Sequence, residues 1–264
     1  MKDYVRANER ILEKWCQEYI SRGKDVDLTP DGIMYRGDLV NINGKWIHNT
    51  SENGTIENNL WAHAPIRILY LTKDQNAGGE YWDLRIDTYH LPNSEKEEYL
   101  MDRSTAFNRN IARSLYGLHE LLFNGRFVRF DDIDEHEVVK VTDSFPFARI
   151  NCKKEAGGPK CNDSTLKKYI REDYDLLEEQ ILNLDADVFV CCARGIIMEN
   201  LNHIFKNNFV QLSNYIWYNE VDKKLAIDTY HPGNMGSAKE TYEDCIMIPC
   251  YEFLKNHQDF SPRR

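Results

Sequence analysis

The chain lacks most of the marks that would assign it quickly. It has no C-x-x-C pair and no H-E-x-x-H, the spacings that most often hold zinc. It has no internal repeat and no low-complexity stretch, and no apolar run approaches the ~20 residues of a membrane span. Its opening, MKDYVRANERILEKW, is charged and helical in pattern, without the apolar stretch of a signal peptide. These absences lead us to expect a cytoplasmic protein with no membrane partner, in which the Asn-x-Ser/Thr triplets at Asn49, Asn53 and Asn162 carry no glycan. Basic charge is short as well: 33 Lys and Arg stand against 43 Asp and Glu, a formal net charge of −10, which on its face argues against a nucleic-acid partner. The seven cysteines are odd in number and scattered, so free thiols are expected. Cys152 and Cys161 flank a Gly-Gly-Pro loop, but no second ligand pair accompanies them. No metal and no cofactor are expected.

What is present is a globular composition, 42% hydrophobic and 29% charged over 264 residues, enough chain to bury a large core. Val5, Ile11, Leu12, Trp15 and Tyr19 recur at helical spacing as far as Gly23. Residues 31–62 alternate briefly and are rich in Gly and Asn, which predicts small strands and turns. Ile66–Leu71 is a compact apolar strand that ends in the polar loop Thr72–Gly79, and residues 104–123 form a helix with Ser104 as its cap. Val138–Thr142 is predicted as the second strand, followed by a long helix capped by Asp163 or Ser164. Val188–Cys192 is apolar on both faces, as in a buried parallel strand. A helix from Ile196, a hairpin over 209–230 turning near Asp222, and a last helix opened by the capping box Ser237–Glu240 complete the chain. This alternation predicts an α/β fold: a three-layer sandwich with a central, mainly parallel four-stranded sheet flanked by helices, plus an N-terminal helix and small-strand extension. Residues 1–62 would be the extension and 63–257 the core of a single domain.

Ligands in such sheets bind beyond the carboxyl ends of the strands, so the loops there carry the chemistry. Asp74 directly follows a buried strand and suits a base or water-orienting role, or simply the cap of a turn. His231 ends a strand in Thr229-Tyr-His-Pro-Gly-Asn-Met235, just before a helix N-terminus, where it can donate to a developing negative charge or rest on a carbonyl. Asp143–Cys161 can wrap a ligand, with Lys153, Lys154 and Lys160 making it cationic, or be an ordinary solvated loop.

Taken in order, these segments resemble the uracil-DNA glycosylase superfamily. Ile68-Leu-Tyr-Leu-Thr-Lys-Asp-Gln-Asn76 stands where that family has a strand and a G-Q-D-P-Y loop, and Thr229-Tyr-His-Pro-Gly233 is similar to its H-P-S motif. Between them Asn151-Cys-Lys-Lys154, Leu177-Glu-Glu-Gln-Ile181 and Ala186–Gly195 resemble the iron–sulfur branch's K-C-R-P-P, L-E-E-Q-I and P-x-V-I-V-A-L-G. Arg103-Ser-Thr-Ala-Phe-Asn-Arg109 is similar to its G-R-P-F-x-G-R. The resemblance covers about residues 66–254 and leaves 1–62 outside it.

The resemblance implies a DNA glycosylase-like hydrolase of base excision repair that extrudes a pyrimidine-type base and cleaves its N-glycosidic bond. Asp74 would activate water and His231 stabilise the leaving base. Phe107 would stack on the base, Asp143 or Asn151 would read its edge, and Gln75 and Asn76 would line the base site. Arg109, Lys153, Lys154, Lys160, Gly233, Asn234, Met235 and Ser237 would contact DNA. Thr72 replaces the family's first glycine and Gln75 its proline, and only Cys152 of the cluster ligands is recognisable, so no iron–sulfur cluster is implied. These departures keep open a non-catalytic nucleic-acid- or nucleotide-binding member of the fold, and an enzyme acting on free nucleosides. The negative net charge is unevenly spread. Residues 145–171 hold seven basic side chains against two acidic, and residues 103–129 hold five against one, so a local positive face is expected.

Overall fold

A computed structural model describes residues 2–24, 28–34, 39–42, 45–48, 56–74, 83–88, 101, 103, 105–157, 161–233 and 237–260. In chain order its elements are α1 (Tyr4–Ser21), β1 (Gly32–Ile33), β2 (Leu39–Ile42), β3 (Lys45–His48), α2 (Ile56–His63), β4 (Ile68–Thr72), α3 (Leu84–Asp87), α4 (Ala106–Asn124), α5 (Glu135–Ser144), β5 (Ala148–Asn151), α6 (Asp163–Glu172), α7 (Tyr174–Leu184), β6 (Val188–Cys191), α8 (Ile196–Ile204), β7 (Val210–Gln211), β8 (Ile216–Asn219), β9 (Lys224–Asp228), α9 (Ala238–Tyr242) and α10 (Ile248–Asn256). A π-helical turn, Glu243–Met247, joins α9 to α10. The chain gathers into two compact units, one of residues 1–88 and 146–186, the other of residues 89–145 and 187–264.

The first unit is organised around β4, whose five residues are all buried. It pairs in parallel with β5, Thr72 opposite Asn151, and β5 pairs antiparallel with β1, Gly32 opposite Arg149. Asp3 caps α1 by accepting the Arg6 N–H, and the helix buries Tyr4, Val5, Ile11, Leu12, Trp15 and Tyr19 while packing on α7. Each of those side chains contributes roughly 1.5–3 kcal/mol by leaving water. β2 and β3 form a separate antiparallel pair.

The second unit has the strand order β6-β9-β8-β7, parallel at β6–β9 and antiparallel at the other two pairings. Helix α4 starts at Thr105, whose side chain accepts the Asn108 N–H, and stops at Gly125 in the left-handed region (φ +63°). Its buried face carries Ile111, Leu115, Leu118, Leu121 and Leu122.

The α/β class therefore holds, but the expected mainly parallel four-stranded sheet does not. Seven strands of mixed direction take part, three in the first unit and four in the second. The largest correction is Val138–Thr142, which lies in helix α5. Asp134 caps that helix through the His136 N–H, acidic side chains occupy its first turn, and Val138 and Val141 are buried three residues apart on one face. The second parallel strand is instead Ala148–Asn151, hidden from hydropathy by Arg149 and Asn151. The long helix predicted from Asp163 is two helices broken at Asp173, which accepts from Tyr19 Oη and Arg22; Asn162 is the cap of the first. The cap predicted at Ser104 falls outside the described residues, and Thr105 does that work. No helix among the described residues is long and apolar enough to cross a membrane.

Candidate functional site

In the first unit the carboxyl ends of β4 and β5 stay together past their last strand residues. Cys152 N–H donates to Thr72 O and Lys153 N–H to Lys73 O, both at 2.9 Å. This brings Asp74 against Lys153, with Nζ 3.3 Å from Oδ2, and their side chains are only 11% and 7% exposed. Lys153 Nζ also donates to Glu155 O at 2.5 Å and lies over the Tyr169 ring. Gly157 closes against the pair: a Cβ there would stand 2.5 Å from Asp74 Oδ2 and 2.9 Å from Lys153 Nζ. Lys73 reaches outward to Asp163 at 3.0 Å.

Asn151 sits beside this pair, at the end of β5. Its Oδ1 accepts from Thr72 Oγ1 at 2.5 Å, and Arg149 Nε donates to the same hydroxyl at 3.3 Å. The Asn151 amide is fully buried, and its Nδ2 has no hydrogen-bond partner among the described residues. An orphaned buried amide of this kind costs on the order of 1–3 kcal/mol until an acceptor meets it. Thr72, where the resembling family has glycine, is thus a working residue of this strand end.

Two lysines expected at DNA are spent inside the unit. Lys154 is fully buried against Asp31, Nζ to Oδ2 at 2.5 Å, and burial pushes its pKa below the usual lysine value. Lys153 is committed to Asp74. Burial pushes Cys152 up to about 12, and burial together with the Asp74 charge raises Cys161. No metal-holding group of three or more His, Cys, Asp or Glu occurs among the described residues.

In the second unit His231 follows the end of β9 and tilts over Phe107, the first turn of α4, with ring centroids 5.0 Å apart at 41°. Its Nδ1 accepts the Gly233 N–H at 3.2 Å, so that nitrogen carries no proton and the ring proton sits on Nε2. Asn110 Nδ2 donates to Pro232 O at 2.7 Å and fixes the loop. A side chain at Gly233 would bring its Cβ to 3.3 Å from the His231 ring, a tight contact that would need a small shift of the imidazole. Phe107, His231 and Gly233, picked out separately in the sequence, are thus brought together.

Four further side chains at this strand end escaped the sequence reading. Asp228 is buried and accepts the Gly195 N–H with both oxygens, at 2.9 and 3.1 Å; burial raises its pKa and that hydrogen bond offsets part of the rise. Arg194 lies between the Tyr215 and Tyr230 rings, 4.4 and 5.3 Å from their centroids, and donates to Tyr230 Oη at 2.8 Å. The signal for Asp228, Arg194 and Tyr230 was position, at the end of β9 or shortly after β6 and β9, and not residue type.

Asp143 lies in α5 and not at a strand end, whereas Asn151, named beside it from the sequence, ends β5. Arg109 donates to Arg103 O at 3.4 Å and is half-buried. Ser237 is exposed and caps α9 through the Glu240 N–H. Gln75, Asn76, Lys160, Asn234 and Met235 lie outside the described residues. The expected positive face is thinner than its charge count: Arg103 and Arg113 both pair with Glu135 and Arg126 pairs with Glu120, while Lys167, Lys168 and Arg171 on α6 are exposed. No protein-family model matches this chain, and no curated protein matches it.

Proposed function

We propose that the chain hydrolyses the N-glycosidic bond of a pyrimidine-type base extruded from DNA, as its resemblance to the uracil-DNA glycosylase superfamily implies. The observation that carries this reading is Asn151. A strand-end amide, buried, with Oδ1 already held by Thr72 and Nδ2 lacking an acceptor among the described residues, suits a base carbonyl. As the bond breaks, the sugar becomes cation-like and the leaving base anionic. Asp74, fixed by Lys153, orients water and stabilises the sugar cation. His231, with its proton on Nε2, donates to the departing base, and Phe107 stacks on it.

The ion pair itself favours a second reading. Lys153 competes with water for the Asp74 carboxylate, as in a member of the fold that binds nucleic acid without cleaving it. One assay separates these readings. Mixed oligonucleotides carrying modified pyrimidines, with a panel of free nucleosides alongside, are incubated with wild type, Asp74→Asn and His231→Ala, and released bases are identified by mass spectrometry. We expect release from oligonucleotide by wild type and a loss of about a hundredfold or more in each folded variant. Binding without release establishes the second reading, and release at the wild-type rate by either variant removes the first.

A further inference from the structure

We infer that Asp31, in the segment outside the family resemblance, is a positioning residue for Asn151 and through it for the choice of base; this rests on the base-reading role proposed above. At the end of β5 the backbone N–H groups divide between the two neighbouring segments. Those of Cys152 and Lys153 are satisfied by the β4 segment, whereas the Asn151 N–H is bonded on the β1 side, where the Asp31 carboxylate accepts it at 2.7 Å. The segment 28–34 runs antiparallel along β5 on that side, with Thr29 N–H to Lys154 O and Met34 N–H to Phe147 O at 2.9 and 2.7 Å. Asp31 thus replaces a ladder bond at the one position whose side chain faces the task of reading a base.

Asp31 is itself immobilised from several directions. Its Oδ2 takes Lys154 Nζ, its Oδ1 takes Gln180 Nε2 at 2.8 Å, and its backbone O takes Asn8 Nδ2 at 2.7 Å. Gln180 Nε2 also donates to Asn8 Oδ1, and Lys154 Nζ lies 4.8 Å from the centre of the buried Trp15 ring. Gly32 permits the arrangement: its φ is +142°, and a Cβ there would meet Asn8 Nδ2 at 2.7 Å. Helix α1, β1 and α7 therefore converge on one carboxylate whose other partner is the backbone of Asn151. A carboxylate acceptor is stronger than the carbonyl it replaces, so it defines the strand-end geometry more tightly.

The test compares two double variants of the full chain, each free of an unpaired buried charge. Asp31→Asn with Lys154→Met keeps an acceptor for the Asn151 N–H, and Asp31→Ala with Lys154→Met removes it. The readouts are the ratio of kcat/KM between uracil and thymine oligonucleotides and the backbone amide proton shift of Asn151. We expect the Asn pair to keep the wild-type ratio within about twofold and the Ala pair to lose about tenfold of it, with kcat on the better base little changed. Equal ratios in both folded variants overturn the proposal. If the Ala pair fails to fold, the Asn151 amide decides: it moves upfield in the Asn pair as the charged acceptor is lost, and an unmoved resonance overturns the proposal. If wild type releases no base, the glycosylase reading falls, and the amide shift still decides whether Asp31 holds Asn151.

Discussion

A buried ammonium costs several kcal/mol to desolvate unless a carboxylate meets it, and the partner left behind by a single substitution pays the same penalty. Lys154→Met strands Asp31 in the core and is expected to cost about 3–5 kcal/mol in urea denaturation. A cost below 1 kcal/mol would place Asp31 in water and contradict the geometry. Gly157→Ala acts by contact and not by charge. Its methyl must push Asp74 and Lys153 apart, so base release is expected to fall about a hundredfold while the denaturation midpoint hardly moves. The sequence made Asp74 visible because a carboxylate directly after an apolar strand is conspicuous. It could not distinguish Lys154 from Lys160, since a lysine in a polar loop looks the same whether or not an aspartate 123 residues away has claimed it.

At the level of single elements, the ends of helices and strands decide most of what went right and wrong. β4 and β6 were readable because burial on both faces leaves a short apolar run bounded by turn signals, and the β8–β9 hairpin because of its turn near Asp222. Helix α5 was not, because Val138, Val139 and Val141 favour strand, and the cap at Asp134 outweighed that preference. β5 was missed for the opposite reason: Arg149 and Asn151 are buried with bonded partners, and polarity alone marks them as loop. The start of α8 gives a pH test. Asp228 accepts Gly195 N–H there, and its pKa is raised mainly by burial. A carboxyl group whose folded pKa lies above the unfolded value of about 3.9 stabilises the fold fully below that value. The contribution is lost as pH rises through the folded pKa. Wild type should therefore lose stability relative to Asp228→Asn between about pH 4 and the raised value, as measured by urea denaturation at a series of pH values. A difference that stays constant over that range would remove the assigned cause.

For the whole molecule, the net charge is −10, and in the basic segments Lys153 and Lys154 are held by aspartates while Arg103, Arg113 and Arg126 pair with glutamates, so part of their positive charge is neutralised. Binding to random duplex is expected to be no tighter than about 10⁻⁵ M at physiological salt and to weaken steeply as salt rises, in a fluorescence-anisotropy titration. The described parts of the first 62 residues contribute to the core of their unit: Trp15 is fully buried, and Asn8 and Asp31 bond to α7 and β5. A chain starting at residue 63 is expected to lack cooperative unfolding by circular dichroism, for want of α1 and of a counterion for Lys154. The same bonds set a timetable for synthesis. Asn8 meets its partner Gln180 across 172 residues, and a stretch belonging to the other unit is made in between. Until α7 is made, the apolar face of α1 lacks the helix it packs on most closely. Closing so long a loop slows folding and exposes apolar surface to chaperones and to aggregation, so α1 must wait for α7 before its apolar face is covered.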